Sequence, residues 1–241
     1  MKKRTASGNQ ITEGIIWKQL LLFFFPIVLG TFFQQLYNTA DAIVVGRFVG
    51  KEALAAVGGS TGQIINLVVG FFVGLSSGAT VVIAQFFGAK DEQNLSKSLH
   101  SAIAFSIVGG IVMSILGILL SPAILRLMNT PENVMADSTL YLRVYFGGIL
   151  FVFLYNIGSG ILRAVGDSKR PLYFLIICCF LNIFLDLLLV VVFHMGVAGV
   201  ALGTLISQAV SAVLIIVTLC RSKEMYHLTL REIRFSRAPL L

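Results

Sequence analysis

The sequence predicts an all-α, polytopic membrane protein, a bundle of six transmembrane helices. Three observations lead there. Hydrophobic residues make up 57% of the 241-residue chain and charged residues only 12%, about half the charged share of an ordinary soluble domain. A surface so poor in charge needs lipid to solvate it. The apolar residues fall in six long runs without alternation, which favours helices over the closed barrel, the other structure that crosses hydrocarbon. Basic residues collect between those runs and mostly on one side, as membrane topology demands.

The runs cover residues 20–45, 64–87, 102–124, 140–162, 172–192 and 197–220, each close to or above the roughly 20 residues that span a bilayer core. Breakers between them are residues 46–50, 88–94, Ser121 with Pro122, residues 166–171, and Met195 with Gly196. The first run comes after Lys2, Lys3 and Arg4, but it is too long for a signal peptide and no small-residue cleavage site succeeds it, so it reads as a retained span. Pro26 lies inside it and is expected to kink it or open its hydrogen-bond ladder. In the second run Gly70, Gly74 and Gly78 recur every four residues, a stripe expected to admit a closely packed neighbouring helix.

Placing the N-terminus in the cytoplasm puts 14 of the 18 basic residues inside, leaving Arg47, Lys51, Arg126 and Arg143 outside. Both termini are then cytoplasmic, in a plasma or inner membrane. Residues 1–19 form a cytoplasmic N-terminal segment, 20–220 the six-helix lobe, and 221–241 a basic cytoplasmic linker or surface helix. Apolar residues resume just before Leu241, which suggests a further domain beyond it.

The net charge of +7 does not imply nucleic-acid binding, because the basic residues form no aromatic-interleaved patch. Cys178, Cys179 and Cys220 lie within or at the end of apolar runs and read as small buried hydrophobes.

Two acidic side chains fall inside the spans, Asp41 in the first and Asp186 in the fifth. A carboxylate at mid-bilayer costs roughly 2.5–3.5 kcal/mol on the mildest scale, so each needs a partner, a proton or a cavity. Asn182 stands four residues before Asp186, on the same helix face. Gln34, Asn38 and Asp41 share a face of the first span. Two such stripes facing one another would make an oxygen-lined pocket suited to a hard cation or a proton. The blander alternatives are that Asp41, near the outer end of its span, is solvated at the interface, and that Asp186 bonds a neighbouring helix. Asn156, Gln85 and Gln208 read first as interhelical hydrogen-bonding groups, His194 as part of an outer turn, and Trp17 as an interfacial anchor.

Pro26, the run Tyr37-Asn38-Thr39-Ala40-Asp41, Val45-Gly46-Arg47 and Leu54-Ala55-Ala56 together resemble the opening of the MATE (multidrug and toxic compound extrusion) exporters. The stretch from Gly158 through Arg163 to Asp167, with Lys169 and Pro171 after it, resembles that family's signature between its fourth and fifth spans. Asn182, Asp186 and the run from Gly196 to Thr204 extend the likeness over nearly the whole chain. The resemblance is to the N-terminal lobe of a twelve-helix, DinF-like prokaryotic transporter. It implies a site for Na⁺ or H⁺ at Asp41, Asn182, Asp186 and Thr204, bending at Pro26, and a cavity for which Gln34, Asn38 and Asn156 are candidates. It further implies exchange of the coupling ion for organic cations, with no other cofactor and no enzymatic activity. Two carboxylates in one pocket favour neutralisation by a proton or Na⁺. The implied partners are membrane lipid, cationic substrates, and a missing C-terminal lobe or a second copy of this chain, with the sequence expected to be a half or fragment. A lipid-linked oligosaccharide flippase of the same superfamily is the main alternative, and it would want a more cationic cavity. A non-transporting scaffold subunit is the other. No paired catalytic groups or metal cluster suggest an enzyme.

Overall fold

The computed structural model describes residues 16–222, 224–229 and 233. The readings of Lys2, Lys3 and Arg4, and of Lys223, Arg231, Arg234 and Arg237 among the basic residues of the 221–241 segment, therefore lie outside the described residues. Among those described, helices are the only regular elements and there is no strand. The order is α1 (Ile16–Val44), a π-helical turn (Val45–Val49), α2 (Lys51–Gly58), α3 (Ser60–Gly88), α4 (Glu92–Leu127), α5 (Glu132–Gly147), α6 (Ile149–Ala164), α7 (Lys169–Asp186), a second π-helical turn (Leu187–Val192) and α8 (Gly196–Arg221). Residues 51–88 act as one span, and so do α5 and α6, which bend by 47° at Gly148. With α4, α7 with its π-helical turn, and α8, they make five helices or helix pairs among the described residues that are long and apolar enough to cross a membrane, and α1 occupies the place of the first apolar run. We call the end where α1 begins basal and the opposite end apical.

The lipid-facing surface is a continuous coat of exposed Leu, Val, Ile and Phe, among them Leu67, Phe71, Leu119, Phe180 and Phe184. Hydrocarbon solvates such a coat at no cost, so hydrophobicity does not drive one helix onto another here; close packing does. The sequence placed that packing at Gly70, Gly74 and Gly78, and the structure corrects it. A Cβ on any of the three would meet nothing within 4 Å. The close approaches are elsewhere: a Cβ on Gly117 would run into the Phe146 ring, and one on Gly158 into the Ile215 side chain. These glycines let α4 meet α5 and α6 meet α8.

A second correction concerns Ser121 and Pro122. They do not end the third run, because α4 continues through them to Leu127. The chain turns instead at residues 128–131. Beside the proline, the Ser121 hydroxyl donates to the Gly117 carbonyl within the same helix. Turns at the helix ends use left-handed backbone at Lys90, Asn129, His194, Gly166 and Gly196. The basal start of α4 is capped by Asp91, which accepts from the Asn94 backbone at 3.1 Å and from its side chain at 2.8 Å.

Beyond α8, the described residues are non-helical and packed against the bundle. Tyr226 and Leu228 are buried with Leu95, Leu99 and Leu219. The Leu228 N–H donates to the Leu219 carbonyl at 3.1 Å, and the Thr229 N–H donates to Nε2 of the buried His100, also at 3.1 Å.

Candidate ion and substrate site

The site is built where α1, α7 and α8 meet near their apical ends. Asp41 ends the polar face of α1, Asn182 and Asp186 lie one turn apart on α7, and Thr204 comes from α8. All four are buried: Asp41 is 5% exposed, Thr204 2%, Asn182 and Asp186 0%. Burial of Asp41 removes the interfacial reading. The four residues converge. The Thr204 hydroxyl donates to Asp41 Oδ2 at 3.4 Å, and Asn182 Nδ2 donates to Asp186 Oδ1 at 3.5 Å. The two carboxyl groups stand side by side. The rings of Tyr37 and Tyr141 close in beside Asp41 and Thr204.

Three oxygens of this cluster are buried with no hydrogen-bond partner: Asp41 Oδ1, Asn182 Oδ1 and Asp186 Oδ2. An orphaned acceptor in a dry interior costs about 1–3 kcal/mol, more when charged. Three on one centre is a donor set for a hard cation, or for a proton shared between the carboxyls.

Two features placing these groups were not evident in the sequence. Each acidic residue stands just before a π-helical turn, Val45–Val49 after α1 and Leu187–Val192 after α7, and the two turns touch. A π turn inserts an extra residue and rotates the helical segment on its N-terminal side relative to the one on its C-terminal side. The second is Gly203, where a Cβ would run into Asp186 Oδ1. Only a residue without a side chain lets α8 lie flat over that carboxyl. Gly203 and Tyr37 fall within the stretches that carry the family likeness; Tyr141 gave no sequence signal.

Asp41 and Thr204 also line a cavity of about 480 Å³ that runs down the inside of α1 to its basal half. Gln34, Asn38 and Asn156 line it, as does Pro26, through which α1 remains helical. Asn182 and Asp186 are not on its wall and lie behind Asp41. Asn156 donates to the Val152 carbonyl within its own helix at 2.8 Å, so it is not spent on a neighbouring helix. Cys178 and Cys179 are buried and also line the cavity.

The profile of the MatE family matches residues 26–188. The chain belongs to the MatE family. Its members are membrane transporters rather than enzymes, and this is a multi-pass membrane protein forming a single helical lobe. Over 200 residues the chain is 36% identical to the probable multidrug resistance protein YpnP of Bacillus subtilis, covering 83% of this chain and 45% of the relative. It is 27% identical over 220 residues to the multidrug export protein MepA of Staphylococcus aureus, covering 90% and 48%. A crystal structure of a MATE protein in its straight conformation superposes with a TM-score of 0.87 at 30% identity, covering 98% of this chain and 53% of that one. The chain thus spans about half the length of the relatives it matches.

Proposed function

We propose that this MatE lobe is the ion-handling half of a Na⁺- or H⁺-coupled multidrug antiporter, with its basal end in the cytoplasm and its spans in the plasma membrane. The observation that carries the reading is the buried carboxyl pair, with its orphaned oxygens, at the apical end of the cavity. The similarity to multidrug resistance and export proteins supports the substrate class. The excess of basic residues at the basal end supports the orientation.

The mechanism rests on which atoms are shared. Asp41 belongs to both the cavity wall and the buried cluster. With the cluster empty of cation, its charge is available to an organic cation in the cavity. A Na⁺ ion held by the carboxyls, the Asn182 carbonyl and the Thr204 hydroxyl, or a proton on the pair, neutralises that charge and draws Asp41 toward Asp186. The segment of α1 from Pro26 to Asp41 lines the cavity, so the same movement alters its shape. Pro26 offers a yielding point because it removes one helical hydrogen bond. Coupling ion and organic cation therefore compete through Asp41, and each weakens the other by the same factor. A second lobe, in the same transporter or from another copy, supplies the opposing wall against which such folds rock.

The test is binding of a cationic dye to the protein in nanodiscs, with Na⁺ and pH varied, beside Asp41→Asn and Asp186→Asn. Dye affinity should fall as Na⁺ or H⁺ rises and lose that dependence in both variants. Affinity indifferent to both ions in the native protein would sink the reading.

A further inference from the structure

We propose that the basal end of the cavity is an anion subsite centred on Arg163, so that the site prefers elongated zwitterions over simple cations. The proposal rests on the reading of Asp41 as the pole that meets a substrate's positive end, and it adds the opposite pole.

Arg163 ends α6 and lines the cavity together with Ser159 and Ser168. Helical side chains lean toward their own N-terminus, so the guanidinium is directed from the basal mouth up into the cavity. It is half-buried, and Nη2 donates to Ser159 Oγ at 3.2 Å. That hydroxyl itself donates to the Asn156 carbonyl at 3.0 Å, so the arrangement fixes the guanidinium without neutralising it. Nearby acid is already spent: Asp167 accepts from the Arg170 backbone at 3.1 Å and pairs with Arg170 Nε at 3.1 Å. Among the described residues that is the only ion pair, so no described carboxylate faces Arg163. The phenol of Tyr155 stands alongside but donates to the Pro171 carbonyl at 3.1 Å, which leaves the guanidinium fork as the donor group aimed at the cavity.

A partly desolvated guanidinium with free N–H groups binds carboxylate, phosphonate or sulfonate in its fork. The distance to the acidic pole sets the ligand length. Pro26 and Asp41, both on the cavity wall, are fifteen residues apart on α1, about 22 Å of helix. A ligand that joins the poles is therefore on the order of 15–20 Å long. Between them the wall is mixed: Tyr145, Val152, Leu172 and Leu175 give it apolar and aromatic surface, and Gln34, Asn38 and Gln208 give it polar groups. The occupant these features describe has an ammonium at one end, an acid at the other, and an elongated body between.

The experiment compares ω-aminododecanoic acid with its methyl ester, for binding to the full chain in nanodiscs by calorimetry. The ester keeps the ammonium and the chain and loses only the anion. The native protein should bind the acid about ten-fold more tightly, the weight of one charge-assisted contact. Arg163→Gln should remove that preference and leave ester affinity unchanged, and Arg163→Lys should keep part of it. Equal binding of acid and ester to the native protein, or equal loss of both in Arg163→Gln, overturns the proposal. So does dodecanoate binding as tightly as the amino acid, since a plain lipid-like anion would then suffice. Asp41→Asn separates the two readings: undiminished ester binding in it counts against the acidic pole, whereas the acid-to-ester ratio in the native protein reports on Arg163.

Discussion

Gly203 shows how little room the carboxyl pair leaves. Adding one methyl there drives a carbon into Asp186 Oδ1, and neither α7 nor α8 can yield without opening the cluster. Gly203→Ala should lower stability by about 1–3 kcal/mol, the usual range for overpacking, and weaken Na⁺ binding more than its stability loss explains. Thermal unfolding beside a Na⁺ titration checks both. Asn182→Leu keeps the branched shape but removes both the carbonyl and the amide that donates to Asp186, and it should abolish Na⁺ protection of the protein. At the basal surface, the Asn94 backbone N–H and side chain hold the Asp91 carboxyl below its usual range. A depressed carboxylate stabilises above its unfolded value and loses that contribution as pH falls through the lowered one. The protection of the amides at the start of α4, taken relative to intrinsic exchange at each pH, should thus fall in mild acid, and Asp91→Ala should show that lowered protection already at neutral pH.

At the scale of elements, π-helical turns follow Asp41 and Asp186 and touch one another, and they are expected to set the directions of the two carboxyls. Deleting one residue within Leu187–Val192 returns that turn to α-helical spacing and rotates Asp186 away from Asp41. The expected outcome is unchanged helicity by circular dichroism with loss of ion-dependent dye release. Unaltered ion dependence would show that the turn plays no part in aiming Asp186. Between α1 and α2 the chain reverses at Gly50, whose φ of +129° and ψ of 178° fall in a region open almost only to glycine. This residue fixes how the first two spans meet. Pro26 works the other way, weakening α1 within its own length. Proline is about 3 kcal/mol less favourable than alanine in a helix interior, so Pro26→Ala should stiffen α1. The effect to measure is slower ion-driven dye release with equilibrium ion affinity little changed.

Taken as a whole, the lobe carries the chain that leaves α8 packed against the basal ends of α4 and α8. Leu228 is 1% exposed and sits among residues of α4 and α8, held by two backbone hydrogen bonds. Leu228→Ala should cost about 2–5 kcal/mol where a buried leucine is fully packed, and limited proteolysis should then cut near residues 224–229 first. The glycine stripe at Gly70, Gly74 and Gly78 faces outward with nothing of this lobe upon it. Packing that matters for this lobe lies instead at Gly117 and Gly158, and large residues at those two positions should prevent the lobe from assembling.

Composition and run length by themselves determined the membrane environment and the helical class. Those properties depend on transfer of residues into hydrocarbon, which each segment undergoes with little reference to the others. The acidic positions were equally legible, because a carboxylate amid twenty apolar residues is costly wherever the neighbours lie. That Asp41 and Asp186 share one centre was implied in the sequence only by the family resemblance; they are 145 residues apart, and it is the packing of α1 on α7 that joins them. Tertiary structure also decided which glycines are contacts, that α4 runs through Pro122, and that Arg163 points into the cavity without an acid beside it. Each of these turns on what stands opposite a residue on another helix, and periodicity along one helix carries no record of that.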